Sequence, residues 1–136
     1  MAAFMKPYSA QTYAAMRIVT GFLFSLHGAQ KLLGWPAPMP EGAAPTFVLW
    51  IAGPIELIGG LLVMIGLQTR WAAFLSSGLM AAAYFGWHAF TKVGEMGYRG
   101  LSPTNNGGEL AVLYCFVFLY IAARGAGIWS VDGSEK

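Results

Sequence analysis

Residues 13–35 read YAAMRIVTGFLFSLHGAQKLLGW, and this stretch decides what kind of protein the chain can be. It is long enough to cross a bilayer, which takes about 20 mostly apolar residues. It nevertheless carries Arg17, His27 and Lys31. Ionisable groups at membrane depth are costly, so they face a bundle interior or a water-filled cavity. At helical spacing Arg17, Gly21, Phe24, His27 or Gly28, and Lys31 fall on one face. A helix that gathers its charges and glycines on one stripe needs partners along that stripe.

Composition points the same way. The 136 residues suffice for one domain, and they are 57% hydrophobic and only 10% charged. A soluble domain carries roughly 25% charged residues. Too little charge is present to cover a water-facing surface, so the expected class is an all-α integral membrane protein whose first partner is the lipid bilayer. A formal net charge of +2 without a basic stripe argues against nucleic acid. The one cysteine, Cys115, sits in an apolar run and reads as a buried thiol. The first segment exceeds the roughly 7–15 residues of a signal-peptide core, and three comparable segments follow it, so it is expected to be retained.

Helices are expected over about 13–34, 46–67, 71–90 and 108–124, within a single membrane domain covering 1–136. Trp35, Pro36, Pro38 and Pro40 stop the first helix. Gly53-Pro54 predicts a kink or a broken start in the second. The turn Gln68-Thr69-Arg70 is so short that the third helix must lie antiparallel beside the second. Residues 91–106 form the longest polar segment, and Gly107-Gly108 precedes Glu109 at the head of the fourth helix.

Together these predict a four-helix transmembrane bundle. Trp35 and Trp87 mark one end as an interfacial belt, and Trp71 and Trp129 mark the other. Lys6, Arg70, Arg124 and Lys136 lie at the end of the termini, against Lys31, Lys92 and Arg99 at the opposite end. That bias predicts a multi-pass protein of the cell inner membrane with cytoplasmic termini. The halves also resemble each other. His27 and His88 close the odd helices, while Gly53-Pro54-Ile55-Glu56 and Gly107-Gly108-Glu109 begin or interrupt the even ones. Two parallel helical-hairpin repeats would give this pattern.

At 1.5 Å per residue, His27 lies about 10 Å and Glu56 about 15 Å inside the surface away from the termini, with His88 and Glu109 within roughly 5 Å of it. Arg17 falls in the other half. Arg17, His27, Lys31, Glu56, His88 and Glu109 are therefore the candidate polar or ligand-site residues. Two histidines and two glutamates converging from four helices would suit a metal, a proton relay or a polar ligand head. No HxxxH or ExxH spacing occurs, and no metal or haem motif is present. On the alternative reading Glu56 and Glu109 cap helix starts, or pair with Arg17 or Lys31 to hold the bundle together. Without a GxGxxG, P-loop or nucleophile-elbow pattern, no catalytic residue is assignable.

The chain resembles the DoxX family of small bacterial membrane proteins from about residue 13 to 132. The matching pieces are Arg17-x3-Gly21 with His27-Gly28-x2-Lys31, then Glu56-x2-Gly59-Gly60-Leu61-x4-Gly66 running into Thr69-Arg70. Glu109 and the ending Gly125-x-Gly127-x2-Ser130-x-Asp132 complete them. The resemblance implies a four-helix membrane protein of redox-related function. One branch of the family is a subunit of a thiosulfate:quinone oxidoreductase, and another associates with soluble oxidative-stress enzymes.

Two functions follow as expectations. The first is a redox-linked subunit that meets a quinone or a partner oxidoreductase, with His27, Glu56 and His88 as hydrogen-bonding or proton-transfer groups. The second is a non-catalytic membrane anchor or assembly factor that docks its partner through residues 91–106. A small-solute transporter, which at this length would have to form a homo-oligomer, is a further alternative.

Overall fold

The computed structural model describes residues 3–133, so Lys136, one of the basic residues weighed for orientation, lies outside the described residues. Every regular element among the described residues is helical. Four long helices dominate: α1 at Ser9–Leu33, α2 at Thr46–Ile65, α3 over residues 69–96, and α4 at Glu109–Arg124.

Local chemistry sets the ends. Gly34 stops α1 and Gly66 stops α2, each in the left-handed region that costs a glycine little. The third helix continues past residue 90 to Met96, because Thr91–Met96 contains no proline and an exposed Lys92–Glu95 pair at 2.6 Å bridges one turn. Gly97 then ends it at φ 61°. Gly97–Leu101 and Pro103–Asn106 are short helical turns, so the polar segment caps the bundle as folded structure.

Pro54 does not break α2. A proline lacks the N–H for its helical bond and its ring crowds the carbonyl one turn back. The helix absorbs this in a wider π turn at Ile55–Gly59. A second π turn, Tyr84–Ala89, widens α3 at a place with no proline.

The antiparallel pair α1–α2 packs backbone to backbone along a glycine seam. A Cβ added at Gly21 would lie 2.5 Å from the Met64 nitrogen, one at Gly28 2.2 Å from the Leu57 nitrogen, and one at Gly60 2.5 Å from the Ser25 nitrogen. Small residues at such spacing let helices approach where no hydrophobic effect drives them together. Helix α3 packs along α4 and against α2. Rings join α1 to α4: Tyr13 meets Tyr120 at 5.9 Å, and Phe24 meets Phe118 at 4.6 Å and Tyr114 at 5.2 Å. Phe24, Val63, Phe118 and Ile121 form the dry centre of the molecule.

Among the described residues, Thr46–Ile65 alone is long and apolar enough to cross a membrane by length and composition. The sequence led us to expect four such spans. Helix α4 falls short with 16 residues, α1 carries Arg17, His27 and Lys31, and α3 carries Arg70, Ser76, Ser77 and His88.

Residues 125–133 fold back across the bundle. Val131 and Asp132 donate their N–H groups to the Ile65 and Gly66 carbonyls. The Asp132 carboxylate accepts from the Gln68 and Thr69 N–H groups and from the Thr69 hydroxyl, each at 2.9 Å. It therefore caps α3 from a distant part of the chain. Burial pushes its pKa up, but the Thr69 and Gln68 N–H donors, the Thr69 hydroxyl and nearby Arg17 outweigh that and hold it below its ordinary 3.8. A carboxyl lowered by folding stabilises the folded state above its unfolded value and loses that contribution as pH falls through the folded value. Asp132→Ala is expected to cost about 1 kcal/mol, as loss of a helix cap does. The wild-type advantage over this variant, read by thermal unfolding, should be full well above the ordinary 3.8 and decline as pH falls from there through the lower folded value.

Candidate ligand site

Helix α1 holds its charges at two places, about 21 Å apart along its axis at 1.5 Å per residue. At one, Arg17 is completely buried, and its hydrogen bonds among the described residues go to backbone carbonyls, with the Asp132 carboxylate near enough to act on it only through space. Its Nη1 donates to the Val63 and Met64 carbonyls, both at 2.7 Å, and its Nη2 to the carbonyls of Ile128 at 3.2 Å and Trp129 at 2.6 Å. A guanidinium set on the last carbonyls of α2 answers the negative end of that helix. Arg70 does the same for α4, donating to the Ala122 and Ala123 carbonyls at 2.9 and 2.6 Å. Arg17 is a clamp between α1, α2 and the returning C-terminal segment, remote from the other candidate residues.

At the other place, Lys31 Nζ binds both carboxylate oxygens of Glu56 at 2.5 Å. The Glu56 side chain is only 4% exposed and that of Lys31 16%. Glu56 sits in the π turn of α2, where the extra residue turns its side chain in towards α1.

This pair is the meeting point of three cavities. One of about 500 Å³ opens sideways between α2 and α3; its walls include Phe47, Val48, Ile51 and Trp87, and its polar end is Lys31, Glu56 and His88. A second, about 250 Å³, lies on the α1–α4 side and adds His27 and Tyr114 to the same three polar groups. The third, about 290 Å³, lies under the 34–45 segment and reaches Lys31 from the bundle end.

His88 comes from the π turn of α3. Its Nδ1 lies 3.2 Å from the Asn106 carbonyl, which can only accept, so the ring carries its proton there and Nε2 is the acceptor of the neutral ring. Asn106 is itself fixed, with Nδ2 donating to the Gly100 carbonyl at 2.9 Å and Oδ1 accepting from the Gly108 N–H at 2.8 Å. His27 faces outward, since Gly28 takes the inner position against α2; its ring stands edge-on to Tyr114 at 6.2 Å.

The structure thus brings Lys31, Glu56 and His88 together, sets His27 at the rim of the smaller cavity, and leaves Glu109 exposed in the first turn of α4. Arg17 stays at the far end. Among the described residues no group of three or more His, Cys, Asp or Glu is placed to hold a metal ion. Tyr114, Asn106 and both π turns escaped sequence reasoning. Only Pro54 and the Asn-Asn-Gly-Gly run carried any signal for them.

Comparison with known proteins agrees with the resemblance noted above. The DoxX family model matches residues 13–89. An uncharacterized protein of Haemophilus influenzae is 42% identical over 130 residues, covering 94% of this chain and 93% of that one. A Bacillus subtilis protein named "Putative oxidoreductase CatD" is 38% identical over 58 residues, 40% of this chain and 43% of its own. No solved structure matches. With the family model spanning more than half the chain and a relative aligned over nearly all of it, the chain belongs to the DoxX family of membrane proteins.

Proposed function

We propose that the protein is a redox-linked membrane subunit that spans the bilayer with all four helices and binds a quinone headgroup at Lys31, Glu56 and His88. The observation that carries this reading is the 500 Å³ lateral cavity, apolar along its walls and polar at one end. Its size is within the roughly 300–1,000 Å³ typical of small-ligand sites. A quinone has the matching shape, with a polar ring to place at the ion pair and an apolar tail to leave between the helices.

Support for a bilayer around every helix comes from the surface. Phe22 and Leu23 on α1, Trp50 and Ile58 on α2, Phe74 and Leu75 on α3, and Leu113 and Phe116 on α4 are all exposed. By sequence position, Lys6, Arg70, Arg124 and Lys136 fall on the side of the termini against Lys31, Lys92 and Arg99 on the other, a bias of one that favours the termini as cytoplasmic; a fluorescent protein fused to the C-terminus and active only in the cytoplasm checks it. The oxidoreductase in the name of the Bacillus subtilis relative supports a redox setting, with electrons supplied by a partner oxidoreductase.

The chemistry follows from donors and acceptors. A quinone carbonyl accepts hydrogen bonds, and the Lys31 ammonium donates them. A quinol hydroxyl donates, and His88 Nε2 or the Glu56 carboxylate accepts. One site can therefore hold both redox forms and relay the two protons that accompany the two electrons exchanged with the partner oxidoreductase.

Gly86 provides the test. It lines the lateral cavity, and a Cβ added there meets no atom within 4 Å. Gly86→Trp should fill the cavity, leave the fold intact and lower quinone carried through purification about tenfold, equivalent to about 1.4 kcal/mol of binding. Wild-type quinone content in folded Gly86→Trp, or in folded Glu56→Gln, would overturn the reading.

A further inference from the structure

The Lys31–Glu56 pair has two approaches of opposite character. The lateral cavity reaches it through aromatic and aliphatic walls. The cavity under the 34–45 segment reaches Lys31 past Gln30 and Glu41, beneath a run of proline, glycine and alanine. That segment follows Leu33 and precedes Thr46, so it lies at the bundle end and outside the helices. Lys31, Met39 and Ala44 line both cavities, which makes Lys31 the boundary between them, with Glu56 bonded to it from the lateral side. At about 30 Å³ per water the upper cavity has room for roughly ten waters. Gln30, Glu41 and Lys31 are among its lining residues and offer hydrogen-bonding groups that water can use.

We propose that the cavity under residues 34–45 is a water-filled inlet through which protons and small hydrophilic molecules reach the Lys31–Glu56 pair from the aqueous side. The lateral cavity admits apolar molecules to the same pair from the lipid. Glu56 thereby exchanges protons with water while its neighbour in the lateral cavity stays dry. The lateral half of this arrangement rests on the function proposed above; the inlet rests on the upper cavity alone.

Carbodiimides test each approach separately. A carbodiimide adds to a protonated carboxyl group to give an O-acylisourea, with the proton passing to nitrogen. An adjacent amine then attacks the acyl carbon and expels a urea, so the protein loses one water and gains an amide. Lys31 Nζ is in place to do this. In protein reconstituted into nanodiscs, a water-soluble carbodiimide should yield a Lys31–Glu56 amide, found by mass spectrometry as a cross-linked peptide pair short of one water. Ala43 lines the inlet and not the lateral cavity. In a Cys115→Ser, Ala43→Cys protein, a bulky maleimide on the new thiol should suppress that product at least tenfold and spare the reaction with lipid-soluble dicyclohexylcarbodiimide. Gly86→Trp should do the reverse.

If the water-soluble reagent leaves Glu56 untouched, or if blocking residue 43 changes nothing, there is no inlet. A quinone that fails to protect Glu56 from the lipid-soluble reagent, while the water-soluble reaction persists, would refute the quinone site and leave the inlet standing.

Discussion

Replacing Lys31 with methionine is expected to cost about 3–5 kcal/mol of stability, the range seen when one half of a buried ion pair is removed. Glu56 is nearly inaccessible, and Lys31 holds both of its oxygens. Without the ammonium, the carboxylate would be left uncompensated in an apolar bundle. The double variant Lys31→Met, Glu56→Gln should recover most of the loss, because a neutral pair of similar volume is often as stable as the ion pair it replaces. It should nonetheless fail to retain quinone. Unfolding of detergent-solubilised protein, followed by the fraction that stays monodisperse on heating, gives both numbers. Equal losses in the single and double variants would mean that the pair is not the buried interaction described above. The recovery has functional meaning: if a neutral pair supports the fold equally well, two buried charges are retained for what they bind.

The second large effect concerns the glycine seam. Gly28→Leu is expected to destabilise by about 3 kcal/mol or more, at or beyond the upper end of overpacking costs. The added Cβ would stand 2.2 Å from the Leu57 nitrogen and 2.7 Å from its Cα. These are backbone atoms, so no rotamer change relieves them and α1 has to move off α2. Gly78 and Gly94 serve as internal controls, because a Cβ at either meets nothing within 4 Å. Gly78→Ala and Gly94→Ala should be stabilising, each by up to about 1 kcal/mol, since alanine is the better helix former. Opposite signs from glycines in one chain would separate close approach from helix propensity. Equal and small effects at all three positions would remove the seam from the account of the fold.

The all-helical fold was legible because its evidence is periodic. Arg17, Gly21, Phe24 and Gly28 do line one buried stripe of α1. The same periodicity could not choose between His27 and Gly28, since a period of 3.6 falls between them; contact with the α2 backbone decides for glycine. The pairing of Glu56 with Lys31 was visible as one of several arrangements, because opposite charges at membrane depth have few ways to coexist. The partners of Arg17 were not visible. It binds four backbone carbonyls, and a carbonyl leaves no mark in a sequence. Glu109 follows a glycine pair much as Glu56 follows Gly53-Pro54, yet it begins a helix and stays exposed, whereas Glu56 lies within one and is buried. Local sequence gave the two similar surroundings, and their depth in the assembled bundle separates them.

The π turn of α2 bears on how such a protein can change over time. An insertion of one residue into a packed helix normally rotates everything beyond it by about 100°, since a turn holds 3.6 residues. A π turn confines the extra residue to one widened loop of backbone, leaving the helix on either side in its original register. Gly53 lies before this turn and Gly60 after it, both already fitted against α1. The turn that presents Glu56 can therefore be lengthened, shortened or rebuilt between two fixed anchors. New ligand chemistry could arise there by small insertions and deletions, with the scaffold inherited unchanged.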